Sequence, residues 1–295
     1  MRSILKTLAK ELGFINIGFV RPAQPPFFDA FISWLSLQNH GEMKWLERNV
    51  DLRKDPTQLL EGCQNIISLA YPYSSIIPTT PEGFRIARYS HFPHEDYHSR
   101  LRQLGKKMIA VIKEQYPESR SRFCVDSAPI LERSLAYGAG LGLFGKNNSL
   151  IIPGYGSYFY LAEILTTADF ELLPAGVFES RCAECNLCLD ACPTGALEKP
   201  YAINAFKCLA YLTIEDKKEI DGEFAGKMGD CFFGCDRCQE VCPYNKEHPA
   251  KKEILLPSRE EILSMKEEEF ETRFGRTVLG RAGLTKIRSN LRVVF

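Results

Sequence analysis

The chain has no apolar run approaching the ~20 residues that cross a bilayer as a helix, and none of its own sequence suggests one. It has no excess of either charge, with 37 Lys and Arg against 37 Asp and Glu. Balance excludes a globally basic nucleic-acid binder and leaves only local patches to consider. A secretory leader is missing too, because Lys6, Lys10 and Glu11 punctuate the opening apolar residues at helical period, which reads as an amphipathic helix running into a strand. No internal repeat is visible beyond two cysteine runs. What remains is ordinary: 45% hydrophobic and 25% charged side chains over 295 residues, enough for one large domain with an inserted or appended second unit.

The informative residues are cysteines. Cys182-x2-Cys185-x2-Cys188-x3-Cys192-Pro193 and Cys235-x2-Cys238-x3-Cys242-Pro243 have the spacing of a pair of [4Fe–4S] clusters. Three thiolates two residues apart wrap one face of a cube, and the fourth, followed by a proline that redirects the chain, points to the neighbouring cube. One cluster then takes Cys182, Cys185, Cys188 and Cys242; the other takes Cys235, Cys238 and Cys192. Its fourth ligand is open between Cys208 and Cys231, because Phe232 stands where a symmetric ferredoxin carries cysteine. Paired CxxC motifs also suit zinc ribbons, but zinc does not call for the Cys-Pro ending after a three-residue gap. A disulfide framework belongs to far shorter secreted chains. Thiolate-held clusters point to electron transfer and to the reducing cytoplasm.

Strand-like runs at 14–20, 65–71, 84–89, 122–125 and 158–166 alternate with helical patterns at about 26–47, 95–115 and 130–140. The expected class is α+β: an α/β domain over 1–172, a ferredoxin-like module over 173–250 and a helical, basic C-terminal segment over 251–295. Phe27, Trp34 and Trp45 are expected in the core. Asp126 lies just beyond a strand and ahead of Pro129, where α/β folds open into ligand-binding crevices; the alternative is a helix N-cap. Gly138, Gly140, Gly142 and Gly145 allow close backbone approach to a bulky ligand, although their spacing is not the dinucleotide fingerprint. His91, His94 and His98 sit in a polar loop without a paired cysteine, so they read as solvated or backbone-bonded and not as a metal site. Two basic patches stand out: Arg273, Arg276, Arg281, Lys286, Arg288 and Arg292 near the end, and Arg100, Arg102, Lys106 and Lys107 on a helix.

The segments Val125 to Arg133, Gly145-Lys146-Asn147, Ala162 to Thr166, Cys182 to Thr194, Ile203 to Glu215 with Cys208, and Phe233 to Pro243 together resemble the epoxyqueuosine reductases, with weaker likeness at Leu52 to Pro56 and Asp96-Tyr97-His98. The resemblance implies a cobalamin-binding catalytic domain beside two [4Fe–4S] clusters. It also implies reduction of the epoxide of epoxyqueuosine to the alkene of queuosine at the tRNA wobble position, the last step of queuosine formation. On it, Asp126 is the proton donor, which stays protonated only if the corrinoid and substrate bury it; Cys208 completes the second cluster and Cys231 is spare; Arg53, Lys146 and Asn147 lie near the corrinoid. The implied partners are tRNA with a queuosine-type wobble base and an external low-potential electron donor, with no membrane and a monomeric state. The stretch from His91 to Glu95 looks like an insertion, and the helical-repeat domain of many members would begin about where this chain stops. The alternatives are a cobalamin-dependent reductive dehalogenase, which normally carries a twin-arginine leader not seen here, and a plain ferredoxin-type carrier, which needs neither Asp126 nor a basic tail.

Overall fold

Leu5 and Ala9, one helical turn apart, are the buried pair of the opening helix Arg2–Glu11. That helix leads into the first strand of a computed structural model that describes residues 1–91, 96–173, 176, 178, 180 and 182–294. Ten strands are assigned among the described residues: β1 Asn16–Val20, β2 Asn65–Pro72, β3 Ile76–Thr79, β4 Arg85–Ile86, β5 Ser121–Cys124, β6 Leu143–Phe144, β7 Leu150–Ile151, β8 Phe159–Thr166, β9 Cys231–Phe233 and β10 Lys251–Ile254. The main sheet runs β1-β2-β8-β5 and is antiparallel throughout.

Six consecutive residues of β2, Asn65 to Ala70, are buried. An unbroken run of that kind requires cover on both faces. One face is covered by the helix Tyr97–Gln115, whose Leu101, Leu104, Gly105, Met108 and Ile112 recur at helical period and are all buried. Gly105 is required there: a Cβ would stand 2.2 Å from the Phe123 ring on β5. The short helix Glu132–Gly138 packs against β1, β2 and β8, burying Ser134, Leu135 and Ala136.

The second sheet, β10-β3-β4-β9, ties the expected segments together. β9 comes from the cysteine-bearing stretch and lies parallel to β4, and β10, which follows that stretch, lies parallel to β3. Arg85 on β4 reinforces the join, donating through Nε to Asp230 Oδ1 at 3.0 Å and pairing with Glu240. The C-terminal helix Leu284–Val293 seats Leu284, Ile287 and Leu291 in the same core as Phe232 and Phe233. The three segments therefore share a sheet and a core. No helix of the described residues is long and apolar enough to cross a membrane.

Two local expectations are corrected. Phe27 and Trp45 are 53% and 48% exposed, so neither belongs to the core, whereas Trp34 is half-buried with its indole N–H on the Ile203 carbonyl at 2.6 Å. Phe27 occupies the left-handed region at φ 62°, and that backbone turns its ring outward against Tyr137 and Phe144.

Candidate functional site

Each cysteine run folds as a loop and one helical turn, Leu187–Asp190 and Arg237–Glu240, and the two turns pack against one another. Proline after the last cysteine of each run ends the turn. Cys182, Cys185, Cys188 and Cys242 line one cavity of about 580 Å³ with Lys146 and Asn147 at its edge. Cys192, Cys208, Cys235 and Cys238 stand outside that cavity's lining, and burial pushes the thiols of Cys208, Cys235 and Cys238 up. Cys188 acts on Cys238, so the two groups adjoin. Cys231 is buried in β9, and its thiol turns to the carbonyls of Phe233 and Gly234, at 3.6 and 3.3 Å.

The Gly145–Asn147 loop spans both runs. Lys146 Nζ donates to the Ala183 carbonyl at 2.8 Å and to Asn186 Oδ1 at 2.9 Å, and Asn147 Nδ2 donates to the Cys238 carbonyl at 3.3 Å. Arg53 is buried and spends Nη1 on the Arg48 and Asn49 carbonyls, at 2.5 and 3.4 Å. The three residues expected near a corrinoid thus use these side chains to hold protein loops.

Asp126 stands where β5 ends, at φ 54°, a left-handed conformation that aspartate tolerates better than most residues. Its backbone N–H donates to Glu132 Oε1 at 2.6 Å, which fixes the turn. Its side chain does not cap the following helix, whose N-cap is Leu131 with no side-chain bond. The carboxylate, 48% exposed, accepts instead from His98 Nε2 at 2.9 Å. His98 is buried, stacks on Tyr97 at 4.1 Å, and binds Asp96 through Nδ1; Asp96 caps the helix through the His98 N–H at 3.0 Å. From the C-terminal helices, Arg281 Nη1 reaches within 3.7 Å of Asp96 Oδ2 and 3.8 Å of Asp126 Oδ2.

This setting favours the ionised form of Asp126. Burial pushes its pKa up, but the His98 hydrogen bond and charge, the Arg281 charge and the Tyr97 hydroxyl together hold it below the usual carboxylate range. Burial likewise opposes charge on His98, yet its bonds to Asp126 and Asp96 and their charges lift it above the ordinary imidazole range. Below them Glu132 is pushed up to about 7, mainly by burial and then by the Asp126 charge.

The sequence reading singled out Asp126 and placed Arg281 in a basic patch; it gave His98, Asp96 and Glu132 no role beside Asp126. An aspartate two residues before a histidine at a helix start is a signal for the first pair, because an N-cap aspartate bonds the backbone N–H two residues on, here that of His98. Nothing local marks Arg281. His91 is half-buried, and His94 lies outside the described residues.

The basic C-terminal segment, expected either to hold tRNA or to be a solvated helix face, is only partly withdrawn from solvent. Lys286 is buried with Nζ on the Lys218 carbonyl at 2.8 Å, Arg288 donates to the Ile262 and Met265 carbonyls, and Arg281 enters the site; Arg273, Arg276 and Arg292 remain exposed. Arg102, Lys106 and Lys107 lie exposed on the outer face of the helix Tyr97–Gln115.

Two family profiles match the sequence: one described as a 4Fe-4S double cluster binding domain over residues 181–245, and one described as epoxyqueuosine reductase QueG, DUF1730, over residues 53–127. Among curated proteins, the epoxyqueuosine reductase of Cyclobacterium marinum is 36% identical over 303 residues, covering 99% of this chain and 96% of that one. That of Escherichia coli is 34% identical over 278 residues, covering 90% and 73%. Among solved structures, an epoxyqueuosine reductase with an epoxyqueuosine-modified tRNA-Tyr stem loop superposes with a TM-score of 0.87 at 32% identity, over 99% of this chain and 80% of that one. The Streptococcus thermophilus enzyme gives 0.87 at 30% identity with the same coverage.

Proposed function

The chain belongs to the epoxyqueuosine reductase family, and we propose on that premise that it reduces epoxyqueuosine to queuosine in tRNA with Asp126 as the group that protonates the leaving oxygen. The observation that carries this reading is likeness along the whole chain, 99% of it at 36% identity, so that it includes both the cysteine module and the β5 end bearing Asp126. The solved relative holds a modified tRNA stem loop, and the same substrate class is proposed here.

The residues fit two clusters. Cys182, Cys185, Cys188 and Cys242 would hold one, and Cys192, Cys208, Cys235 and Cys238 the other, each run lending one thiolate to its neighbour's cube as the spacing requires. The lining of the cavity also takes in Pro153, Gly154 and Phe178, and a corrinoid is proposed from the family likeness. When bound, cobalamin supplies a strongly reducing nucleophilic metal and the clusters supply electrons one at a time.

The chain's own residues do the rest. Forming an alkene and water from an epoxide consumes two electrons and two protons at one oxygen. Asp126 is half-exposed and can meet a substrate; Glu132 holds its backbone, and Lys146 and Asn147 hold the cysteine loops. Arg281 adds a cation where an anionic RNA backbone would arrive. The test is anaerobic reconstitution with iron, sulfide and cobalamin: about eight irons per chain and a stoichiometric corrinoid spectrum are expected. A protein that takes up the clusters and no corrinoid would be an electron carrier instead.

A further inference from the structure

Asp126 is expected to deliver a proton, yet the structure surrounds its carboxylate with the donors that keep it ionised: His98 Nε2 at 2.9 Å, Arg281 Nη1 at 3.8 Å and the Tyr97 hydroxyl. A carboxylate so placed has no proton of its own to give near neutrality. His98 does, because its ring is buried between two carboxylates, with Asp96 on Nδ1 and Asp126 on Nε2. We infer that His98 is the positioning residue that stores the proton Asp126 delivers, so that the acid of this site is the His98–Asp126 pair and not a lone carboxyl.

The step balances as follows. As the epoxide C–O bond breaks, His98 Nε2 gives its proton to the ionised Asp126 carboxylate, which passes a proton to the oxygen and returns to the carboxylate form; the imidazolium becomes neutral imidazole, its Nδ1–H still on Asp96. The second proton, which releases water, enters from solvent through the half-exposed Asp126. The two electrons come through the clusters and cobalamin from the external low-potential donor. Asp96 has a double task. It caps the helix that carries His98 and stabilises the imidazolium, in the way a buried carboxylate orients a catalytic histidine. The other groups facing His98 are Arg281 Nη1 at 3.4 Å from Nδ1, which opposes the charge, the stacked Tyr97 ring, and the charge of Glu132 from the following helix.

This inference rests on the epoxyqueuosine reductase reading, and its test separates the two. Pre-reduced holoenzyme is mixed with an epoxyqueuosine stem loop, and the single-turnover rate is followed against pH. Wild type should lose rate as pH rises through a value above the ordinary imidazole pKa of ~6.5. His98→Gln keeps an N–H for Asp126 but cannot store a proton. It should bind clusters, corrinoid and stem loop normally, lose ~10- to 100-fold in rate near neutrality, less than the ~10²- to 10⁴-fold typical of the acid itself, and shift its alkaline limb toward the carboxylate range of ~3.9. Asp96→Asn retains the cap and should move that limb to lower pH by a smaller step. A third readout needs no turnover: in ring-labelled protein with oxidised clusters, the histidine resonance missing from His98→Gln should titrate above the ordinary value in wild type and lower in Asp126→Asn. An unchanged pH limb in His98→Gln, or a His98 resonance titrating at or below ~6.5 in wild type, overturns the inference. If His98→Gln fails to load cofactors, Asp96→Asn and the wild-type resonance decide. A wild-type protein that converts no substrate while His98 titrates high would overturn the functional reading alone.

Discussion

Replacing Asp126 with asparagine removes one proton site and leaves almost everything else in place. The backbone at φ 54° suits asparagine as well as aspartate, and the N–H still reaches Glu132 Oε1, 2.6 Å away. The contact with Arg281 at 3.8 Å is largely exposed and contributes at most ~1 kcal/mol to stability. The His98 pairing at 2.9 Å loses its charge. That loss lowers the raised His98 pKa. Catalysis should suffer far more. A general acid contributes ~10²- to 10⁴-fold, which is ~2.7 to 5.4 kcal/mol of transition-state stabilisation. The assay is single-turnover conversion of an epoxyqueuosine stem loop, alongside iron, corrinoid and thermal-melting measurements. Asp126→Ala is the control for strain: it should lose the same rate but cost ~1 to 2 kcal/mol more stability, because alanine is poorly suited to a left-handed backbone. Near-wild-type conversion by Asp126→Asn, or a rate loss that tracks lost iron, would refute the assigned role.

Three further outcomes are expected. Cys208→Ser should lose about half the iron while Cys231→Ser keeps about eight per chain, and the opposite result in iron and sulfide analysis would reassign the fourth ligand of the second cluster. Glu132, pushed up to about 7 by burial, binds its proton more tightly folded than unfolded, so its contribution to stability is full below its ordinary carboxylate value and is lost as pH rises through about 7. Urea midpoints should therefore fall less between pH 5 and pH 8 in Glu132→Gln than in wild type, and an equal fall would show that Glu132 titrates normally. Lys286→Gln with Arg288→Gln should lower thermal stability by ~1 to 3 kcal/mol per lost buried donor and leave the salt dependence of stem-loop binding unchanged; a flatter salt slope would mean that these side chains contact phosphate.

The long strands were readable because burial on both faces writes an unbroken apolar run, as in β2, and the flanking helices because their apolar residues recur at helical period, as in Tyr97–Gln115. The cysteine grouping was readable because cluster geometry fixes the spacing. What escaped was set by distance along the chain. β9 and β10 are short strands that exist only because β4 and β3, well over a hundred residues earlier, offer edges to them. The charge of Lys286, Arg288, Lys146 and Arg53 was plain, but no sequence pattern says that Lys218, Met265, Ala183 and Arg48 carbonyls receive those donors. The partners of the Asp126 carboxylate escaped for the same reason. Burial was foreseen, and the cation from Arg281, 155 positions away, was not.

Epoxide reduction by this chain on RNA can be read directly from its product. Cluster-reconstituted, cobalamin-supplemented protein should be given a low-potential reductant and a stem loop carrying epoxyqueuosine, and the digested nucleosides separated by mass. The account predicts a product 16 mass units lighter, about one oxygen, formed only when cobalamin and reductant are both present and nearly abolished in Asp126→Asn. Unchanged epoxyqueuosine from a protein carrying its full complement of iron and corrinoid would contradict it.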